Sequence, residues 1–153
     1  MGKQRTRLIL IALAGFTAGW WFWERREEPL TPEEQVRQVI LEGEHALERE
    51  DVRGCMRLIS RDYRDGVFTY FDVQRGLLHA FREADNVDLT IRQVRVQFSS
   101  DHQEAQASMR VNITATTLTG PRRYDDLPVT VDLQREGRRW KVTRVVGWVD
   151  ITE

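Results

Sequence analysis

Three histidines and one cysteine are the first residues of this 153-residue chain to consider for acid–base, nucleophilic or metal-binding chemistry. His45 and His79 fall beside the apolar stripes of predicted helices, and His102 lies in a predicted turn. We therefore expect all three imidazoles on the solvated surface and not as general bases. Cys55 is alone, which excludes an internal disulfide and a multi-cysteine metal site. The sequence predicts no catalytic residue, no metal and no cofactor.

Arg144 is the one charged side chain that interrupts an apolar strand face. In the run that starts at Trp140, regular alternation turns this guanidinium inward together with Val142 and Val146. A buried cation is costly unless a carboxylate or a ligand anion meets it. Three interpretations remain open: an anion-binding residue in a pocket, an internal ion pair with Asp65 or another acidic residue, and a bulge that turns the side chain outward.

Three amphipathic helices are predicted between residues 31 and 84. The first begins at the capping box Thr31–Glu34 and runs to about Arg49. Asp51 and Asp72 are the predicted N-caps of two further helices, and the residues at 62–66 form a turn between them. These helices precede all of the predicted strands.

The hydrophobic period changes from 3.6 to 2 at Val87, which indicates strands from there onward. A change of phase near Arg92–Gln93 predicts a β-bulge. The pattern predicts an α+β domain with an antiparallel sheet that has one apolar face. The predicted strands lie at 87–98, 105–115, 127–133 and 140–148.

The order of these elements resembles the nuclear transport factor 2-like superfamily. Two helices are followed by the turn Asp62-Tyr63-Arg64-Asp65, a third helix and a meander that ends in Gly137-Arg138-Arg139-Trp140-Lys141-Val142. The resemblance covers about 31–150 and rests on the ordered combination. It implies the cone-shaped α+β barrel, with three N-terminal helices packed on a curved four-stranded antiparallel sheet. A cystatin-like fold is the nearest structural rival. The superfamily mixes isomerases, dehydratases and hydrolases with non-catalytic binding domains, so the fold transfers no activity.

In the resembled fold, the position of Arg144 points into the pocket of the cone, and aromatic side chains could line the mouth of that pocket. The sequence lacks the helix tyrosine of the steroid isomerase branch and the histidine pairs of dehydratase-like sites. The predicted pocket-lining residues are Tyr63, Asp65, Phe68, Phe71, Trp140 and Arg144.

The opposite face of the sheet is predicted to be polar throughout. Solvent exposure explains such a face, but many domains of the resembled family dimerise through it, so a homodimer is the alternative. The residues of this face are Ser108, Arg110, Asn112, Thr114, Thr130 and Asp132.

The N-terminal segment has the pattern of a membrane anchor. The run Leu8 to Trp23 carries no charge, follows Lys3, Arg5 and Arg7, and is followed by Glu24–Glu28. At about 1.5 Å per residue it spans roughly 24 Å, which is close to the ~30 Å hydrocarbon layer. The basic N-terminal end is expected to stay in the cytoplasm, so the rest of the chain is exported.

Two other interpretations of this segment are weaker. A cleavable secretory signal would be cut after Thr17-Ala18-Gly19 and would leave the apolar Trp20–Trp23 exposed as a new terminus. A buried core helix is the second alternative. We therefore expect a cytoplasmic tail at 1–7, an uncleaved transmembrane anchor at 8–23, a linker at 24–30 and an exported α+β domain at 31–153.

The charge balance restricts the partners. The chain has 23 basic and 24 acidic residues, and without Lys3, Arg5 and Arg7 the basic count falls to 20. The exported part is therefore mildly acidic, which argues against a nucleic-acid partner. We expect a single-pass protein of a bacterial inner membrane whose periplasmic domain binds a protein partner or a small ligand without being an enzyme. A small-molecule enzyme and a purely structural envelope domain are the alternatives.

A reporter fused to the C-terminus tests this orientation. Because the segment Leu8 to Trp23 is expected to remain in the bilayer, alkaline phosphatase at the C-terminus should be active and the fusion should stay in the membrane fraction. Two results would contradict the predicted anchor: activity only when a reporter that works in the cytoplasm replaces alkaline phosphatase, or a fusion protein that is found in the soluble fraction.

Overall fold

The computed structural model describes residues 29–147, in which three helices precede four antiparallel strands. All of these elements belong to the compact unit Thr31–Glu153. The predicted tail, the predicted anchor, most of the predicted linker and Trp148 lie outside the described residues. Across 29–147, none of the helices has the length and apolar character needed to cross a bilayer.

The three helices begin at residues that satisfy free backbone N–H groups. Helix α1 spans Pro32–Glu48 behind the predicted capping box, and α2 spans Val52–Leu58 with Asp51 accepting a hydrogen bond from the Gly54 N–H at 2.9 Å. Helix α3 spans Tyr70–Glu83. These caps fix where each helix enters the fold.

The predicted cap of α3 is wrong by three residues. Thr69 is the N-cap, and Asp72 lies in the first turn and accepts hydrogen bonds from the backbone N–H and the hydroxyl of Thr69 at 2.9 and 2.6 Å. These bonds, together with Arg75, lower the pKa of Asp72 to about 2. In the sequence, an aspartate in the first turn that accepts a hydrogen bond from the N-cap residue looks the same as an aspartate at the N-cap itself.

The strands form one antiparallel sheet in the order β1-β2-β3-β4, and the predicted bulge after Arg92 is confirmed. Strands β1 and β3 begin earlier than predicted. The start of β3 lies in a hairpin that extends past the hydrophobic core, so it carries no apolar alternation. The strands span Ala84–Phe98, Glu104–Thr117, Gly120–Glu136 and Arg139–Val146.

The main core fills the space between α1 and the inner face of the sheet. Val36 of α1 is fully buried, and the small side chains of Ala105 and Ala107 on β2 are buried in the same cluster. Small residues on a strand let a helix approach the sheet closely. The remaining buried members of this cluster are Leu89, Met109, Val111, Leu133 and Trp140.

Helix α1 also covers the open edge of β1 through its polar side chains. The Glu44 carboxylate accepts a hydrogen bond from the Ile91 N–H at 3.2 Å, and Glu48 accepts one from Leu89 at 3.5 Å. Arg37 donates to the Val94 carbonyl at 3.1 Å. An uncovered edge strand invites pairing with another chain. These side chains close that edge.

The segment after α2 covers the other edge of the sheet. Ile59 forms a parallel bridge with Val142, and the Ser60 N–H donates to the Val142 carbonyl at 2.8 Å. The Arg64 N–H donates to the Thr143 carbonyl at 3.0 Å. Both edges of the four-stranded sheet are therefore occupied by the part of the chain that precedes it.

Candidate functional site

Two of the six predicted pocket residues belong to the turn that holds the edge of β4. The Tyr63 side chain is 1% exposed; its hydroxyl accepts a hydrogen bond from the Val145 N–H at 3.3 Å and donates to Asp65 at 3.0 Å. Asp65 also accepts from the N–H groups of Val67 and Phe68 at 2.9 and 2.7 Å. Burial acts to raise the pKa of Asp65, but these hydrogen bonds outweigh it and lower the pKa. Both residues therefore stabilise a turn.

Two predicted aromatic residues lie on the surface. Phe68 is 48% exposed and Phe71 is 65% exposed, next to the exposed Val67. The Phe71 ring packs edge-on against Tyr70 with 5.5 Å between ring centroids. The three exposed side chains form an apolar patch at the start of α3.

The prediction that Arg144 points inward is wrong. The pairing of β4 with β3 slips by one residue, so that Leu133 lies opposite Val142 and Asp132 lies opposite Arg144. This bulge turns the guanidinium to the outer face, where it donates to Asp132 at 2.8 Å with 48% of the side chain exposed. Of the interpretations left open by the sequence, the outward bulge is the one found, and the ion pair that forms is a surface pair.

A groove of about 600 Å³ lies where α1, α2 and the β3–β4 hairpin meet. Trp140 is the only predicted pocket residue that lines it. Apolar surface comes from Val39, Ala46, Leu58 and Trp140. We call this indentation the basic groove; its polar lining residues are Gln35, Gln38, Glu42, His45, Arg49, Asp51, Arg57, Arg138, Arg139 and Lys141.

Cations dominate the lining of the basic groove. Five of its residues are arginine or lysine and two are acidic, although the chain beyond Arg7 is acidic overall. None of the five forms an ion pair with another residue of 29–147; the ion pairs found there lie outside this set of cations. The Lys141 ammonium donates to the Arg57 carbonyl, and Arg49 donates to the His45 carbonyl. The lining of the groove therefore carries an excess of positive charge, five cations against two carboxylates.

The acidic and imidazole groups of the groove already have partners. Asp51 caps α2, and Glu42 accepts a hydrogen bond from Gln38 at 3.0 Å. His45 lies on the exposed surface, as predicted, with Nδ1 3.6 Å from Glu48. No group of three metal-ligating side chains occurs within the described residues.

Cys55 lies on α2 with its thiol buried. Burial, followed by the charge of Asp51, raises the pKa of this thiol to about 11. A thiol with this pKa stays protonated at neutral pH, and the thiolate is the reactive form.

Comparison with known proteins shows the fold. No family model and no curated protein matches this chain. A protein of Novosphingobium aromaticivorans, provisionally described as an aromatic ring hydroxylase, superposes with a TM-score of 0.68 at 12% identity over 78% of this chain and 89% of its own. The protein Aln2 from a Streptomyces species gives a TM-score of 0.63 at 16% identity, covering 78% and 92%.

A protein of unknown function from Nostoc punctiforme, described as having a cystatin-like fold, gives a TM-score of 0.59 at 13% identity, covering 77% and 92%. These neighbours support the predicted α+β architecture of helices packed on an antiparallel sheet. At these identities they show the architecture and nothing about the ligand.

Trp140 forms the apolar base of the groove and carries an unusual polar atom. The side chain is 3% exposed, and its indole N–H is the one buried side-chain polar atom in the described part of the chain without a hydrogen-bond partner. An unpaired buried donor costs about 1–3 kcal/mol. Its ring also packs edge-on against Phe98, with centroids 5.7 Å apart.

Two substitutions separate the packing of Trp140 from its polar atom. Trp140→Ala should lower the free energy of unfolding by about 3–5 kcal/mol because it empties core volume. Trp140→Phe should cost less than about 1.5 kcal/mol because it also removes the unpaired donor. Urea unfolding of residues 31–153 measures both. Equal losses for the two variants would mean that the N–H has a partner that stabilises the fold.

Proposed function

We propose that this protein is a single-pass, membrane-anchored domain of a bacterial cell envelope that uses the basic groove to bind an anionic partner. In this proposal the segment Leu8 to Trp23 holds the chain in the inner membrane and the domain at 31–153 lies in the periplasm. The partner is a protein or a small ligand that carries negative charge, and binding involves no chemical step.

The observation that carries the proposal is the excess of positive charge in the groove lining, where five cations face two carboxylates and none of the five forms an ion pair with a described residue. Like charges held together repel one another, and an anion that enters the groove relieves that repulsion. The groove volume of about 600 Å³ also lies within the usual range for ligand sites. Cations that are exposed before binding also accelerate the encounter with an anionic partner.

The two faces of the sheet take no part in the proposed binding of an anionic partner. The inner face is filled by the core around Val36 and Trp140, and the outer face is satisfied by its own polar contacts. Gln106 donates to Asp132 at 2.8 Å, and Arg92 donates to Asn112 at 3.2 Å. The proposal of a homodimer through this outer face stays secondary, since these side chains already have partners within one chain.

A small-molecule enzyme is the second candidate. One fold neighbour is provisionally described as a scytalone dehydratase and another as an aromatic ring hydroxylase. In this chain the imidazole that lines the groove and could exchange a proton is that of His45. Turnover that His45→Ala abolishes in a folded protein would favour this candidate over a binding role.

Photo-crosslinking in native membranes tests the proposed function. Gln38 lines the groove, whereas Gln97 is exposed on β1 away from it, so the two glutamines form a matched pair. A photoreactive amino acid at 38 in the full-length protein should give a defined adduct, and the adduct should be lost when Arg139→Glu is added. The same amino acid at 97 should give none. Adducts from 97 alone, or an adduct from 38 that is insensitive to Arg139→Glu, would contradict the proposal.

A further inference from the structure

We infer that the partner of the basic groove is an extended peptide segment that alternates acidic and apolar side chains. This inference rests on the proposed function and names the ligand class of the same site. The length of the groove, the distribution of its cations and the apolar character of its base support it.

The length of the groove exceeds that of a single small anion. The lining residues on α1 extend from Gln35 to Arg49. At 1.5 Å per residue this stretch of helix is about 21 Å long, which is roughly the length of six residues of extended chain. A lone phosphate or carboxylate would meet only a fraction of this length.

The cations come from both sides of the groove. Arg49 and Arg57 are supplied by the helices, and Arg138, Arg139 and Lys141 by the β3–β4 hairpin. The arginine side chains at 49, 57, 138 and 139 are exposed, so their guanidinium groups are accessible for planar, paired contacts with carboxylates. A ligand that uses several of them needs several negative groups spaced along its length.

The lining of the groove also contains apolar side chains. Val39 and Leu58 are half-buried and present apolar surface, whereas Ala46 and Trp140 are 4% and 3% exposed. In an extended peptide successive side chains point to opposite sides, so apolar residues can contact this surface while acidic residues reach the rim. A nucleic acid has a higher charge density than such a peptide, and the acidic remainder of the chain repels it.

Binding to the full-length protein in detergent micelles tests the inference. The probe is a fluorescent hexapeptide with the repeat Glu-Leu, compared with the matched peptide in which glutamine replaces each glutamate. At about 50 mM salt the acidic peptide should bind at least about tenfold more tightly, and about 500 mM salt should remove most of that difference by screening. Inorganic phosphate and glycerol 3-phosphate, the headgroup of an anionic lipid, are titrated in parallel.

A pair of double variants assigns the binding to the groove. Arg57→Glu with Arg139→Glu should abolish the preference for the acidic peptide. Arg53→Glu with Arg95→Glu makes the same change of charge at exposed residues outside the groove and should keep it. Circular dichroism confirms that all variants are folded. A preference that survives the groove variant would overturn the inference.

The remaining outcomes separate the inference from the proposed function. Groove-dependent binding of phosphate or glycerol 3-phosphate, without a preference for the acidic peptide, would overturn the peptide ligand but retain the groove as an anion site. If none of these probes binds in a way that depends on Arg57 and Arg139, and crosslinking from position 38 also fails, the inference and the proposed function are both wrong.

Discussion

The structure depends on the closure of two open sheet edges by the chain that precedes the sheet. A four-stranded sheet that does not close on itself leaves a row of unpaired N–H and C=O groups on each side. Here Glu44 and Glu48 accept from β1, and the backbone around Ser60 pairs with β4. Charged acceptors on a partly buried edge contribute more than neutral ones, about 1.5–3 kcal/mol each. Helix α1 and the segment after α2 thus take the place of edge strands.

This closure determines where a ligand can bind. Helix α1 presents one side to the core through Val36 and uses other positions to cover β1, while α2 leads into the segment that covers β4. The surface that remains lies where both helices meet the β3–β4 hairpin, and five cations line it. A pocket lined by Tyr63, Asp65, Phe68, Phe71, Trp140 and Arg144 was expected, but the charged groove lies between α1, α2 and the β3–β4 hairpin and shares only Trp140 with that set.

Local signals made much of the fold predictable, whereas the site depends on contacts that have no local signal. The capping box at Thr31 and the alternation along β2 each lie within a few residues, so the sequence predicts the helices and strands in the correct order. The prediction for Arg144 is wrong because one extra residue in β4 reverses the phase of the strand. Valines at 142, 145 and 146 make both phases look apolar, so the sequence pattern does not reveal the slip.

The basic groove could not be predicted from the sequence for a different reason. Its cations come from two helices and a hairpin turn, and each looks like an ordinary surface charge within its own element. The doublet Arg138-Arg139 was the available signal, but it also suits an exposed turn. Only the packing of α1 and α2 against the hairpin brings these charges together.

Native-state hydrogen exchange at the edge of β1 tests the central claim most directly. The amide protons of Leu89 and Ile91 point to glutamate side chains and not to a neighbouring strand. If those side chains close the edge, these amides should be protected nearly as well as amides of β2, and Glu44→Ala should accelerate exchange at Ile91. Exchange of both amides at the rate of an open edge, unchanged by Glu44→Ala, would contradict the account.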